Sequence, residues 1–297
     1  MNLIIGGTGA LGRALARRLL AKNQPVRVMT RTPEKPEARA LAEAGAEIVA
    51  GSLIDSASLE RACAGVTSVT MAAHSFLGRG REASAHVDRD GVLDLIRIAE
   101  AEGVQRFVYT SVYDYDPKMY HSVPLFRIKS EVEAVLHRSS LPYVIVRPTA
   151  FMELAHELMG ADVLKKGKAT VFGKGTRPRN FVAADDVAAL IVHALEDASL
   201  AGQTIDIAGL ENLSSLEVVE LYGQAAGVKA KASHVPLGMM RLMRSVMKRL
   251  HPGVAQIMQA SILGDTTDQR VDPGDFEERF PIQLTRFEDW IARQMKA

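Results

Sequence analysis

The sequence predicts a doubly wound α/β fold, and two observations carry the prediction. Short apolar runs alternate with helical segments through the first half of the chain, with no hairpin turns between them. Three glycines, Gly6, Gly9 and Gly12, stand between the first apolar run and the first helical one. Parallel strands joined by helices need right-handed crossovers and cover on both faces, which a doubly wound parallel sheet supplies.

The elements follow in order. NLII is a strand, and ALGRALARRLLAKN a helix whose leucines and alanines recur at helical spacing. PVRVMT is a second strand, and PEARALAEAG a helix stopped by Gly45 just past its C-cap. AEIVAG is a third strand. DSASLERACAG opens on Asp55, a good N-cap, and stops at Gly65. VTSVTMAA is the fourth strand, ASAHVDRDGVLDLIRIAEAEG a long helix, RFVYTSV the fifth strand, LFRIKSEVEAVLHRS a helix and PYVIVRP the sixth strand. After Pro148 the rhythm loosens. ATVFG, TIDIAG and KASHVP read as further strands, with helices near AADDVAALIVHALED, SLEVVELYGQAAG and the C-terminal LTRFEDWIARQMKA. We expect a dinucleotide-binding domain over 1–150 and a smaller substrate lobe over 151–297, partly folded back on the first.

Composition narrows the function. The chain has 297 residues, with 36 Lys and Arg against 35 Asp and Glu, so no global field recruits nucleic acid or an anionic membrane. One cysteine, Cys63, excludes an intramolecular disulfide and fits a reducing cytoplasm. The start lacks the basic and apolar regions of a signal peptide, and no apolar stretch approaches the ~20 residues of a spanning helix. A cytoplasmic protein acting on a small molecule is expected. No His, Cys or acid cluster has metal-ligand spacing; His86, Asp88 and Asp90 alternate on a helix expected to face solvent in part.

The glycines point to the ligand. In such a sheet the first strand ends at a crevice, and the next helix aims free N–H groups and a partial positive charge into it. Glycines there permit a tight turn, close approach of a pyrophosphate and close helix packing, as in the Rossmann arrangement. The bland alternative is a tight turn without a ligand, and the spacing is G-x-x-G-x-x-G rather than G-x-G-x-x-G. An acid ending the second strand would hold the ribose 2′-hydroxyl of NAD; VMTRTPEK places Arg31 there instead. A guanidinium suits a 2′-phosphate, so NADP(H) is preferred over NAD(H), unless Arg31 is merely a solvated cation.

Together GGTGALG, MTRTPEK, GVQRFVYTSV, KSEVEAVLHRSSLPYVIVRPTAFME and RNFVAADDVAALI resemble the atypical short-chain dehydrogenases/reductases of the NmrA-like type. The resemblance fades beyond about residue 210 and names no substrate. It implies that Gly6, Thr8, Gly9, Ala10, Leu11 and Gly12 form the phosphate loop, with Arg31 on the adenosine phosphate. Ser52 stands where members commonly carry an acid facing the adenine, and Leu53 would support the adenine. Ala72, Ala73 and His74 would run beside the riboses. Thr110 and Ser111 would lie near the nicotinamide, and Pro148, Thr149 and Phe151 would line the nicotinamide side.

Chemistry is where this chain departs. Classical short-chain members use Y-x-x-x-K, a tyrosine proton donor with a lysine that lowers its pKa and holds the nicotinamide ribose. Lys129 stands in the expected helix, but four residues before it is Leu125, which has no proton to give. Lys129 is expected as a cofactor anchor, against the alternative of an exposed lysine paired with Glu133. Proton donors are sought among Tyr113, Tyr115, Tyr120 and His121, with Tyr113 first because it lies nearest Ser111 in the chain. His74 is a pocket donor or a plain strand-end histidine, and Asp186 reads as an N-cap. The segment GMMRLMRSVMKRLHPG reads as a methionine-rich lid helix rather than a membrane or partner helix. Two functions remain: a reductase of small apolar, conjugated or quinone-like acceptors, and a non-catalytic NADP(H) sensor that signals to a protein partner.

Overall fold

The computed structural model describes residues 1–116 and 122–296, so Tyr120 and His121 lie outside the described residues. The chain divides into two compact units, Met1–Arg147 with Val187–Asp206, and Pro148–Asp186 with Ile207–Ala297.

The first unit is built on strands β1 (Asn2–Ile5), β2 (Val26–Thr30), β3 (Glu47–Ala50), β4 (Ser68–Met71), β5 (Arg106–Thr110) and β6 (Tyr143–Pro148). Their order is β6-β5-β4-β1-β2-β3, every pairing among these six is parallel, and a seventh strand at Gln203–Ile207 lies beside β6. This is the doubly wound Rossmann-type sheet that the alternation predicts. β4 and β5 are buried along their whole length, the mark of strands covered on both faces. Leu3, Ile5, Leu59, Val69, Leu95, Phe107 and Ile145 meet in the core beneath the sheet. Chain order reverses at β1, which sits between β2 and β4, and the crevice at its carboxyl end is where ligands bind in such folds.

The long helix expected over residues 83–103 is composite. A π-helical stretch, Ala85–Asp90, precedes the α-helix Gly91–Ala101. His86 and Asp90 are exposed, on a helix that faces solvent in part, while Asp88 is buried, its carboxylate accepting from the Ser75 N–H at 3.0 and 3.1 Å.

The second unit carries two small sheets. One orders Glu211–Leu213, Arg179–Val182 and Ala150–Phe151; the other pairs Lys168–Phe172 with Lys231–Val235 in parallel. Its core gathers Met152, Phe181, Tyr222, Phe287 and Trp290. Asp186 is no N-cap: it lies inside the helix Ala184–Glu196, buried, and accepts from the Thr285 N–H and hydroxyl, both at 2.8 Å. The methionine-rich segment forms two helices, Leu237–Leu250 and Pro252–Thr266. On the first, Met240 is buried while Met239, Leu242, Met243, Val246 and Leu250 are exposed. No helix among the described residues is long and apolar enough to cross a membrane.

Candidate functional site

A cavity of about 240 Å³ opens at the carboxyl end of the first unit's sheet. Four strand ends build it. Gly6, Thr8 and Gly9 follow β1, Met29 and Thr30 end β2 with Arg31 after them, Gly51 to Leu53 follow β3, and Ala72 to Ser75 follow β4. Of the residues expected at a cofactor, Gly6, Thr8, Gly9, Arg31, Ser52, Leu53, Ala72, Ala73 and His74 share this one wall.

The glycines divide by purpose. Gly6 has φ +88°, and a Cβ there would stand 2.7 Å from the Ala73 backbone nitrogen. A Cβ at Gly7 would meet Val28 at 2.5 Å, and one at Gly12 the Gly6 carbonyl at 2.3 Å. These three serve the packing of loop, strand and helix. Gly9 differs. Its backbone is extended, it is exposed, and a Cβ there would meet only the Gly6 carbonyl at 3.4 Å. The fold tolerates a side chain at Gly9; the bare backbone there leaves the cavity floor open for a ligand to approach. Gly9 also caps the helix Ala10–Ala21 without a side-chain hydrogen bond, and no acid sits in that helix's first turn. The positive helix end is thereby left to an anion. Ala10, Leu11 and Gly12 belong to this helix start; Leu11 and Gly12 are buried and do not line the cavity.

The adenosine side follows from β2 and β3. Arg31 pairs with Glu82 at the cavity rim. Ser52 Oγ accepts from the Ile54 N–H at 3.4 Å, and the Ser52 N–H donates to Ser58 Oγ at 3.0 Å, which fixes the loop after β3. Leu53 is held from behind: a Cβ at Gly91 would meet the Leu53 carbonyl at 2.3 Å, so only glycine lets the helix start come so close. His74 Nδ1 accepts from the Phe76 N–H at 3.4 Å, a bond that orders the strand-end loop.

A second group lies at the ends of β5 and β6. Lys129 is buried, not the exposed helix lysine of the alternative reading, and its ammonium donates to the Thr110 carbonyl at 2.7 Å while standing 5.0 Å from the centre of the Tyr109 ring. Burial pushes its pKa down, and the charges of Asp88 and Glu133 push it back up. The Ser111 hydroxyl donates to Glu133, whose carboxylate also holds the Arg147 guanidinium. Tyr113 packs against Tyr115 with ring centres 4.8 Å apart. Burial first, then Asp206 and Asp114, raise the Tyr113 phenol above its ordinary value, which weakens it as an acid. None of Lys129, Thr110, Ser111 and Tyr113 lines the 240 Å³ cavity. Leu125, in the position of the classical tyrosine, is buried. In the second unit, Pro148 ends β6, Phe151 ends the short strand Ala150–Phe151, and the Thr149 hydroxyl donates to Asn180 Oδ1 at 2.9 Å.

The model of the NmrA-like family matches residues 2–278. This chain belongs to the NmrA-like family. Among relatives, it is 30% identical over 245 residues to the photosystem II assembly factor Ycf39 of Synechocystis, covering 82% of this chain and 73% of that one. It is 27% identical over 298 residues to the (4-alkanoyl-5-oxo-2,5-dihydrofuran-3-yl)methyl phosphate reductase of Streptomyces griseus, covering 100% of this chain and 99% of that one. Among solved structures, the Citrobacter triphenylmethane reductase complexed with NADP(H) superposes with a TM-score of 0.76 at 18% identity, over 99% of both chains.

One atom of this NmrA-like site has no partner. Thr110 Oγ1 is buried without a hydrogen bond among the described residues. An unsatisfied buried hydroxyl costs about 1–3 kcal/mol. Replacing Thr110 by the isosteric valine is therefore expected to raise Tm by about 2–12 °C. If the hydroxyl serves the cofactor, the same variant binds NADPH a few-fold more weakly in titration. Higher stability with unchanged binding would make Thr110 a packing defect instead. Among the described residues no group of three or more His, Cys, Asp and Glu could hold a metal ion.

Sequence reading missed three contributors. Gly91 and Glu82 gave no signal, because each acts on a loop far from it in the chain. Asp88 did give one: it stands four and seven residues before the buried Val92 and Leu95, on the inward face.

Proposed function

We propose that this chain binds NADP(H) in the cavity at the carboxyl end of β1 and reduces a small apolar acceptor of the conjugated or quinone-like kind. The observation that carries the reading is Gly9, whose missing side chain the fold does not need and a close-lying pyrophosphate does. The residues fit such a group. Gly6, Thr8, Gly9 and the start of the helix Ala10–Ala21 would hold the phosphates, Arg31 the adenosine phosphate, Ser52 and Leu53 the adenine side, and Ala72 to His74 the riboses. Thr110, Ser111 and Lys129 stand by the nicotinamide in this reading, with Tyr113 as the nearest phenol. Support comes from relatives: one is named a reductase, and one solved neighbour is a reductase complexed with NADP(H).

When bound, the nicotinamide supplies a hydride. The chain's own task is then positioning more than acid catalysis, since Leu125 offers no proton and Tyr113 is a weakened acid. A conjugated acceptor suits this, because its reduced anion is stabilised and takes a proton from water. The buried Lys129 ammonium holds the Thr110 carbonyl and so fixes the end of β5.

A sensor that binds NADP(H) without turning it over is the second reading. The name of the Synechocystis relative, an assembly factor, favours it. The decisive experiment follows NADPH absorbance with a panel of quinones, enones and dyes, with cofactor binding measured in the same sample. Turnover lost in a Gly9→Val variant supports the reductase; tight binding without turnover across the panel moves the function to the sensor. Arg31→Ala is expected to cut the preference for NADPH over NADH roughly ten- to hundredfold, the worth of a charge-assisted contact to phosphate. An unchanged preference would remove Arg31 from the reading.

A further inference from the structure

Arg31 is already held by a neighbour of its own chain. Its guanidinium pairs with the Glu82 carboxylate, the two side chains being 64% and 41% exposed. The arrangement is not a chance meeting of two long side chains, because the segment that presents Glu82 is tightly folded. The Ser75 hydroxyl donates to the Glu82 carbonyl, and the Ser84 hydroxyl donates to the Ser75 carbonyl at 2.9 Å. A Cβ at Gly78 would stand 1.7 Å from that same Glu82 carbonyl, so the loop closes only with glycine there. Buried Asp88 anchors the loop's start through the Ser75 N–H. Glu82 is thus delivered to the rim by a built loop, and it lines both the 240 Å³ cavity and a broader one beside it, which Arg31, Arg61 and Arg81 share.

We propose that Glu82 is a specificity-determining residue, an internal competitor that occupies Arg31 and that only the 2′-phosphate of NADPH displaces. The inference rests on the cofactor reading above. A ribose 2′-hydroxyl is neutral and leaves the Arg31–Glu82 pair in place, so NADH binds without breaking it. A phosphate brings about two negative charges and three acceptor oxygens to the same guanidinium, and must push the carboxylate aside. Arg61 and Arg81, in the adjoining cavity, lower the cost of bringing that charge in. Glu82 therefore narrows the gap between the two cofactors: it weakens NADPH selectively and leaves NADH alone.

The test measures the dissociation constants of NADPH and NADH, by titration of the full-length protein, for the parent, Glu82→Gln, Arg31→Ala and the double variant. Glutamine keeps size and hydrogen bonding but removes the charge. An exposed ion pair is worth little, so Glu82→Gln is expected to tighten NADPH about two- to fivefold and to leave NADH unchanged. In the Arg31→Ala background the same substitution should lose most of that gain, since nothing remains to be released. Equal effects on both cofactors, or a gain that survives without Arg31, would overturn the proposal while leaving the cofactor site standing. A parent protein that binds neither nucleotide would overturn both.

Discussion

Gly9→Val is expected to leave a folded protein that binds NADPH far more weakly. Both halves of the expectation follow from one geometry. At Gly9 the backbone has φ −74° and ψ 170°, a conformation any residue adopts, and a Cβ meets only one carbonyl oxygen at van der Waals distance. The loss of stability is confined to the poorer helix cap, about 1 kcal/mol, or a Tm lowered by about 2–4 °C. The branched side chain points into open space at the cavity floor, where it blocks a phosphate from the helix end. Steric intrusion of this size costs about 1–3 kcal/mol, so binding should weaken roughly five- to 150-fold. Gly12→Ala is the contrasting control. Its Cβ would stand 2.3 Å from the Gly6 carbonyl, so stability suffers first. Thermal melts and NADPH titration of the two variants separate the roles. Binding by Gly9→Val at the parent's strength would remove the phosphate seat from this loop.

That contrast marks how far the sequence could be read. The strands, the helices and the loop at the carboxyl end of the first strand follow from alternation and three glycines, because strand burial and helix amphipathicity are local properties of the chain. The sequence already singles out Gly9 as the position where bulk would fill a pyrophosphate seat; what it does not show is that Gly6 and Gly7 are instead required by Ala73 and Val28, residues brought near only by folding. Asp186 was read as a cap by its place before an apolar run, but the chain returns Thr285 to it across 99 positions. The helix of His86, Asp88 and Asp90 does face solvent in part, through His86 and Asp90, while Asp88 turns inward at the spacing of Val92 and Leu95. Arg31 was legible as a cation following the second strand, yet its partner Glu82 was not, because a loop closed by Gly78 and Ser75 carries it there. For Asp186 and Arg31 the missed fact is a contact between distant positions, the part of a structure that no local pattern encodes.

Asp88 also sets up the second large effect, that of Lys129→Met. Methionine keeps the length and apolar stem of lysine but removes the buried ammonium. The Thr110 carbonyl loses its donor, and Asp88 loses the cation that lowers its pKa. Glu133 keeps Arg147 as counter-ion, so the electrostatic deficit falls on Asp88. Breaking a buried arrangement of opposite charges costs about 3 kcal/mol at the low end, or a Tm lowered by about 6–12 °C. The pH dependence carries the sign. Burial already raises the Asp88 carboxyl above 3.8, against Lys129, the Ser75 N–H and Ser84; without Lys129 it rises further. A folded pKa above the unfolded one gives stability that is present below the unfolded value and lost as pH rises through the folded value. Removing Lys129 also spares the fold the cost of a buried ammonium, since its own pKa is lowered, and this offsets part of the loss at every pH below its folded value without reversing the trend set by Asp88. The deficit of Lys129→Met is therefore expected to be smallest near pH 4 and to grow toward neutral pH. Adding Asp88→Asn, which keeps an acceptor for the Ser75 N–H, should recover part of the stability and flatten that dependence. A deficit equal at both pH values and untouched by the second substitution would mean that Lys129 stabilises the end of β5 through its bond to Thr110, and not through charge.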